Sequence, residues 1–380
     1  MKSKKGNGEK RQFPIACFLL PFLLLAGSAG GAAAKSGDGG NAEPYRFMTP
    51  ERYRALVSID GLSIDGDWGG IFPKGRRVVL SPFAIGKYEV TWELWHEVVE
   101  QAEAHGCRFT AESGYQGHEP AAQSGTGKGT SSAAWTEEER RARPVTYVSV
   151  RDIVVWCNAY SELDGLEPVY RDARGSVVRQ SAKVTEGTRM DMTKSGYRLP
   201  TEAEWEAAAR GADSSAPDWT FTYAGQRANS TFESNAARPG KTTLTVRGLD
   251  GPYEAAWWQY NASRINSPDG RAPNNADYGA HPVGTKAPNR LGLYDMTGNA
   301  WEYCWDYYYP DPCAGDPRFT VDGVVKDPAG PVVGEYRTYR GGAWPVDELR
   351  QTIQTRYGTN GDLEFRAYNL GFRVVRRRDT

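Results

Sequence analysis

The side chains best placed by type and spacing to do chemistry lie in the last third of the chain. In TGNAWEY, residues 297–303, the Asn299 amide oxygen, the Glu302 carboxylate and carbonyls freed by the turn at Gly298 and Ala300 put hard oxygen donors within one tight loop, which suits calcium. The other reading of this loop has Asn299 capping a turn and Glu302 carrying a surface charge. Farther on, the segment Gly341 to Arg373 gathers Trp344, Arg350, Gln354, Arg356, Tyr357, Asn360, Arg366 and Tyr368. Arg, Tyr and Trp join large contact area to directional hydrogen bonds and dominate binding surfaces, so this density points to ligand recognition. Taken singly, Arg356 and Arg366 also suit internal ion pairs, and Tyr357 and Tyr368 also suit a core. The clustering is what favours a site.

Thiols and imidazoles are sparse. Cys107, Cys157, Cys304 and Cys313 lie beyond the N-terminal apolar run that holds Cys17. Four cysteines in an exported chain allow two disulfides in any of three connectivities. Cys304 and Cys313, with Pro310 and Pro312 between them, make the favoured bridge, and no spacing resembles a zinc site. The histidines are His96, His105, His118 and His281. His96 and His105 are nine residues apart, which puts them about 180° apart around a helix, and no three-histidine set is visible.

These residues need elements to position them. In TWELWHEVVEQAEAHG, Thr91 can cap a helix, Leu94, Trp95, Val98, Val99 and Ala102 recur at helical spacing, and Gly106 can end it. A second helix starts at the Ser149 cap with Asp152 in its first turn and closes at Gly165. In GYRLPTEAEWEAAARG, Pro200 keeps Leu199 extended, and Thr201 with Glu204 forms a capping box for a third. Short strands broken by glycine turns are expected from about residue 57 and a hairpin around Val169 to Val178. Residues 110–140 have loop composition and read as a surface insertion. After residue 212 helical periodicity stops and Trp, Tyr, Asn and Gly prevail.

The chain has 380 residues, a formal charge of −1, twelve Trp, twenty-one Tyr and forty-three Gly. Near-neutrality gives no reason to expect nucleic acid or an anionic membrane as partner, and the aromatic and glycine content predicts a turn-rich fold with rings filling the gaps between loops. Residues 1–34 have the layout of a secretory signal peptide: a basic start, an apolar run, then small residues. An uncleaved anchor is the alternative. The run is interrupted by Pro14 and Pro21, and no later stretch could span a bilayer. Residues 35–54 then read as a flexible leader, 55–376 as one domain and 377–380 as a basic tail. The protein is expected to be secreted, periplasmic or at the cell surface.

IGKYEVTWELW, PVTYVSVRDIVVWCN, GYRLPTEAEWEAAARG, HPVGTKAPNRLGLYDMTGNAWEYCWDYY, RGGAW and NLGFRVVR stand in the order seen in the formylglycine-generating (sulfatase-modifying) enzyme family. The chain resembles that family over about residues 55 to 376. The resemblance implies a single α+β domain related to the C-type lectin fold, low in regular secondary structure, with one or two structural calcium ions. The first would use Gly298, Asn299, Ala300 and Glu302, and a second Asn275 or Asp277. Members that oxidise a sulfatase cysteine to formylglycine use two cysteines five residues apart, soon after a GG-small-aromatic motif, to hold the Cu(I) that activates oxygen. Here that motif is Gly341-Gly342-Ala343-Trp344 and the matching positions are Val346 and Gln351, neither of which can ligate copper. Other relatives hold a non-haem iron through histidines, a set this chain does not show.

In similar proteins the stretch between the GGxW and LGFR motifs floors the ligand site, and in some bacterial relatives it is a variable display surface. The expectation is an exported, non-catalytic protein that recognises a protein or glycan through Trp344, Arg350, Gln354, Arg356, Tyr357, Arg366 and Tyr368. The alternative is a formylglycine-generating oxidase or another oxidoreductase of the family, and a structural envelope component is a third possibility.

Overall fold

The computed structural model describes residues 45–378, except 112, 118–134, 227–231, 234–244, 247–253, 259–261, 263–278, 313–322, 332 and 359–361. In chain order the elements are α1 (Glu51–Arg54), β1 (Leu56–Ile59), β2 (Leu62–Asp65), β3 (Arg77–Leu80), β4 (Phe83–Gly86), α2 (Trp92–Ala104), α3 (Glu137–Arg141), α4 (Val150–Leu163), β5 (Tyr170–Arg171), β6 (Arg189–Met190), β7 (Tyr197–Arg198) and α5 (Glu202–Ala209). After them come β8 (Phe232–Glu233), β9 (Thr245–Val246), β10 (Trp301–Tyr307), β11 (Val324–Lys326), β12 (Arg337–Arg340), β13 (Leu370–Gly371) and β14 (Val375–Arg377).

The three helices expected from the sequence form with their expected caps. Thr91 accepts from the Leu94 amide, Ser149 from the Asp152 amide, and Thr201 and Glu204 close a capping box. Each cap satisfies an amide that the helix start leaves open. α2 and α4 pack through Trp95 and Trp156, whose rings stack at 5.7 Å while Trp156 Nε1 donates to the Trp95 carbonyl at 3.1 Å. Phe372 meets both rings edge-on. Full burial of each such side chain contributes about 1.5–3 kcal/mol.

The strands form small sheets. β1, β4, β14 and β7 make a four-stranded antiparallel sheet in that order. β10 lies between β12, antiparallel, and β13, parallel. β3 lies between β2, antiparallel, and β11, parallel. β5 pairs with β6 and β8 with β9. This is the α+β architecture of a few short helices and small, mostly antiparallel sheets that the resemblance implied.

β10 divides the interior. Trp301, Tyr303 and Trp305 join the core around α2 and α4, whereas Cys304 joins a second core around β2 to β4 and α5. Glu302 and Asp306 follow Cys304 toward α5, as the two-residue strand period requires: Glu302 accepts from Trp205 Nε1 at 2.7 Å and Asp306 from the Glu202 amide at 2.8 Å. All eight residues of α5 are buried although three are glutamates. Burial of those charges is sustained by arginines: Arg198 meets Glu204 twice at 2.7 Å, and Arg340 meets Glu202 at 2.7 Å and Glu206 at 2.6 Å.

Several expectations need correction. The leader assigned to 35–54 is docked from Tyr45 onward: the Tyr45 amide donates to the Leu163 carbonyl, Phe47 sits edge-on to Tyr160, and 51–54 are helical. Within the loop assigned to 110–140, Trp135 is buried and Thr136 and Glu139 form the capping box of α3. The basic tail assigned to 377–380 begins within the fold, since Arg377 ends β14 and Arg378 pairs with Asp60 at 2.6 Å. Cys304 is a free thiol, wholly buried against α5, so the Cys304–Cys313 bridge is not formed there; Cys313 itself lies outside the described residues. Residues 1–34, Asn275, Asp277 and His118 also lie outside them. Among the described residues no helix is long and apolar enough to cross a membrane.

Candidate functional site

The GG turn organises the segment after β12. Gly341 and Gly342 adopt φ of 94° and 81°, a region costly for other residues. A Cβ on Gly342 would collide with Gln351. That close approach lets Gln351 Nε2 donate to the carbonyls of Ala343 at 2.7 Å and Val346 at 3.1 Å, cinching residues 343–351 into a loop. Beside this loop opens a cleft of about 270 Å³, lined among others by Trp301, Tyr339, Val346, Arg350, Tyr357 and Phe365. Trp301 stacks on Tyr357 at 5.6 Å and meets Tyr339 edge-on at 5.4 Å, so β10, β12 and the later loop each lend it an aromatic wall. Arg350 is held by Asp347 at 3.3 Å and remains half exposed.

Of the seven residues assigned to ligand binding, Arg350 and Tyr357 line this cleft. The others are elsewhere. Trp344 is buried and packs on Tyr368 at 5.8 Å, with Ala262 and Ala280 completing a small separate cluster. Arg356 is a structural ion: its Nε and Nη2 reach the Glu202 carboxylate at 2.6 and 2.8 Å and Nη1 donates to the Tyr309 carbonyl. Arg366 donates to the Ala111 carbonyl and lies 3.7 Å from Asp152. Gln354 Nε2 donates to the Trp68 carbonyl at 2.7 Å. Trp301, Tyr339 and Phe365 were not expected at the site. The aromatic run of β10 was visible in the sequence, but which face of the strand it lined was not.

The loop assigned to calcium is drawn together, with its oxygens turned to protein donors. Asn299 Oδ1 accepts from the His281 amide and its Nδ2 donates to Glu89 at 2.7 Å, while the Asn299 carbonyl accepts from the Trp344 amide. Glu302 receives Arg373 on both oxygens at 2.6 Å. Those two side chains therefore do not fit a cation. Next to them Asp295 is buried, its Oδ2 accepts from the Gly284 amide at 2.7 Å, and its Oδ1 has no hydrogen-bond partner. Burial pushes Asp295 up to about 6, and burial together with Asp295 and Glu302 pushes Glu89 far above the usual carboxylate range. Among the described residues no three His, Cys, Asp or Glu side chains can hold a metal alone, so a cation at Asp295 would need backbone carbonyls as well.

A loop-rich α+β scaffold, with carboxylate–arginine pairs buried under a short capped helix and a ligand-sized aromatic cleft beside a GG turn, is the class of protein these features define. Residues 56–378 match the sulfatase-modifying factor enzyme 1-like domain, and the chain belongs to that family. It is 27% identical over 378 residues to chaperone protein LppX of Paenibacillus barcinonensis, covering 94% of this chain and 98% of that one. To the formylglycine-generating enzyme of Streptomyces coelicolor it is 32% identical over 183 residues, 47% of this chain and 46% of the enzyme, so that match spans about half of each. Among solved structures it resembles Treponema denticola variable protein 1, with a TM-score of 0.58 at 24% identity over 85% of this chain and 95% of the other, a likeness of fold.

Proposed function

We propose that this protein is an exported, non-catalytic recognition module whose ligand is an apolar polypeptide segment held in the cleft between Trp301, Tyr339, Tyr357 and Phe365. The observation that carries this reading is the lining of the cleft: aromatic and aliphatic side chains with Arg350 and Asn369 as polar handles, and among the described residues neither a thiol nor an imidazole. Val346, at one of the two positions where the oxidases carry their cysteines, lines the cleft, and Gln351, at the other, spends its amide on the loop backbone. Neither can hold Cu(I). Pockets of this size bind mainly by burying apolar surface, with a few polar groups fixing orientation. The name of the LppX relative supports a protein ligand over a glycan. Export rests on residues 1–34, and N-terminal sequencing of the mature protein checks it.

The test is a titration of the protein, followed by its own Trp fluorescence, with a peptide series of graded aromatic content, alongside oligosaccharides. Val346→Arg, which fills the cleft, and Tyr357→Ala are expected to weaken peptide binding at least tenfold with little change in Tm. Saturation by oligosaccharides alone would move the ligand class to glycans. Stoichiometric Cu(I) binding with conversion of a sulfatase-peptide thiol to an aldehyde would replace the proposal with the oxidase reading.

A further inference from the structure

Several buried arginines in this protein meet a carboxylate. Arg198, Arg340 and Arg373 are at most 3% exposed, and each meets a carboxylate oxygen within 2.7 Å. Arg337 is held differently. It is 7% exposed, its Nη1 donates to the Trp305 carbonyl, and its Nε has no hydrogen-bond partner. Among the described residues it makes no ion pair. Its guanidinium lies 4.1 Å from the centroid of Trp305 and 3.8 Å from that of Tyr307. Such contacts offset part of the cost of burial, and the Tyr307 hydroxyl and the Asp306 carboxyl nearby favour the charge further. Burial nonetheless lowers the Arg337 pKa from the usual guanidinium value.

Arg337 lines a second cleft, of about 450 Å³, that shares no lining residue with the aromatic one. A second guanidinium, Arg151, lines it too; its Nε has no hydrogen-bond partner and its carboxylate neighbour, Glu364, is 3.5 Å away. Three exposed carboxylates, Glu186, Glu335 and Asp362, complete the charged lining. A simple anion would gain the guanidiniums and meet the carboxylates. A simple cation would meet the reverse. Complementarity to both signs belongs to a ligand that carries both.

We propose that this cleft binds a zwitterionic α-amino acid, with its carboxylate on Arg337 and Arg151 and its ammonium toward Glu186, Glu335 and Asp362. The planar fork of a guanidinium suits a carboxylate in a way a point charge does not. The ligand carboxylate would give Arg337 the direct ion pair that it does not make with the described residues. This proposal is independent of what the aromatic cleft binds.

Isothermal titration of the full protein with glycine, leucine, glutamate and lysine, and with their N-acetyl and amide derivatives, tests it. Saturable binding of at least one amino acid is expected, with at least a tenfold loss when either the ammonium or the carboxylate is blocked. Arg337→Met and Arg151→Gln should each cost at least tenfold in affinity. Arg337→Met removes a buried charge together with the donor to the Trp305 carbonyl, so its Tm is measured beside its affinity. If Arg337→Met does not fold, Arg151→Gln, at a partly exposed side chain, decides alone. Absence of binding up to millimolar concentration, equal binding of the blocked derivatives, or undiminished binding by the variants would overturn the proposal.

Discussion

Arg356 shows how far a side chain's role can lie from its local sequence. Its composition-rich neighbourhood made it look like a ligand contact, yet its partner Glu202 stands 154 positions away and is also held by Arg340. No local pattern carries that pairing. Arg356→Ala is therefore expected to destabilise the fold, by about 3 kcal/mol from loss of a buried ionic partner, and to leave cleft binding unchanged in the folded fraction. Urea denaturation and peptide titration of the same variant check it. Asp306 makes a second residue-scale prediction. Burial, and then the neighbouring Glu202, push its carboxyl up to about 7 from 3.8. An acid whose pKa is raised by folding contributes fully below its unfolded value and loses that contribution as pH rises through the folded one. Stability should therefore fall as pH rises from about 4 through about 7. Asp306→Asn should flatten that part of the profile; an unchanged slope in the variant would assign the pH dependence to other groups.

At the level of elements, legibility followed the kind of signal each segment carries. α2, α4 and α5 were readable because a cap and the residues it serves lie within one turn of each other. β10 was not readable as a strand. It is buried on both faces, so Trp, Glu, Tyr, Cys, Trp, Asp and Tyr follow one another without the apolar-polar alternation of a half-exposed strand. Its polar members are balanced by Arg373, Trp205 and the Glu202 amide, all remote in sequence. α3 did carry a signal, the Thr136–Glu139 capping box, submerged in a segment of loop composition. The buried box on α5 is the stronger test of what such a cap is worth. Thr201→Ala removes the acceptor of the Glu204 amide at a residue that is 0% exposed. The expected loss is about 1–2 kcal/mol, the upper part of the range for caps. Thermal unfolding compared with Thr136→Ala, whose cap is solvent-exposed, should show the larger drop for Thr201.

Across the whole molecule, the acidic cluster at Glu89, Asp295 and Glu302 joins segments far apart in the chain around one guanidinium, Arg373. Family resemblance placed a cation in this neighbourhood, on Asn299 and Glu302; the hydrogen bonds instead leave Asp295 Oδ1 as the open acceptor. The sequence could place the loop but not this choice, because what occupies Asn299 comes from His281 and Glu89, at positions no local motif reaches. Calcium bound at Asp295 would relieve repulsion among the three carboxylates and tie their segments together, and any ligand that prefers the folded state stabilises it by mass action, about 2.7 kcal/mol at a hundredfold excess over Kd. Calcium should thus raise Tm by several degrees after chelation, and the increment should vanish in Asp295→Asn. Asn299→Ala should lower Tm, since it removes the donor to one Glu89 oxygen and leaves only the Ala300 amide on the other, but keep the calcium increment. A Tm indifferent to calcium from micromolar to millimolar would mean that the cluster is held by protonation of Asp295 and Glu89, in which case the carboxylates stabilise the fold most at low pH and progressively less as pH rises through about 6.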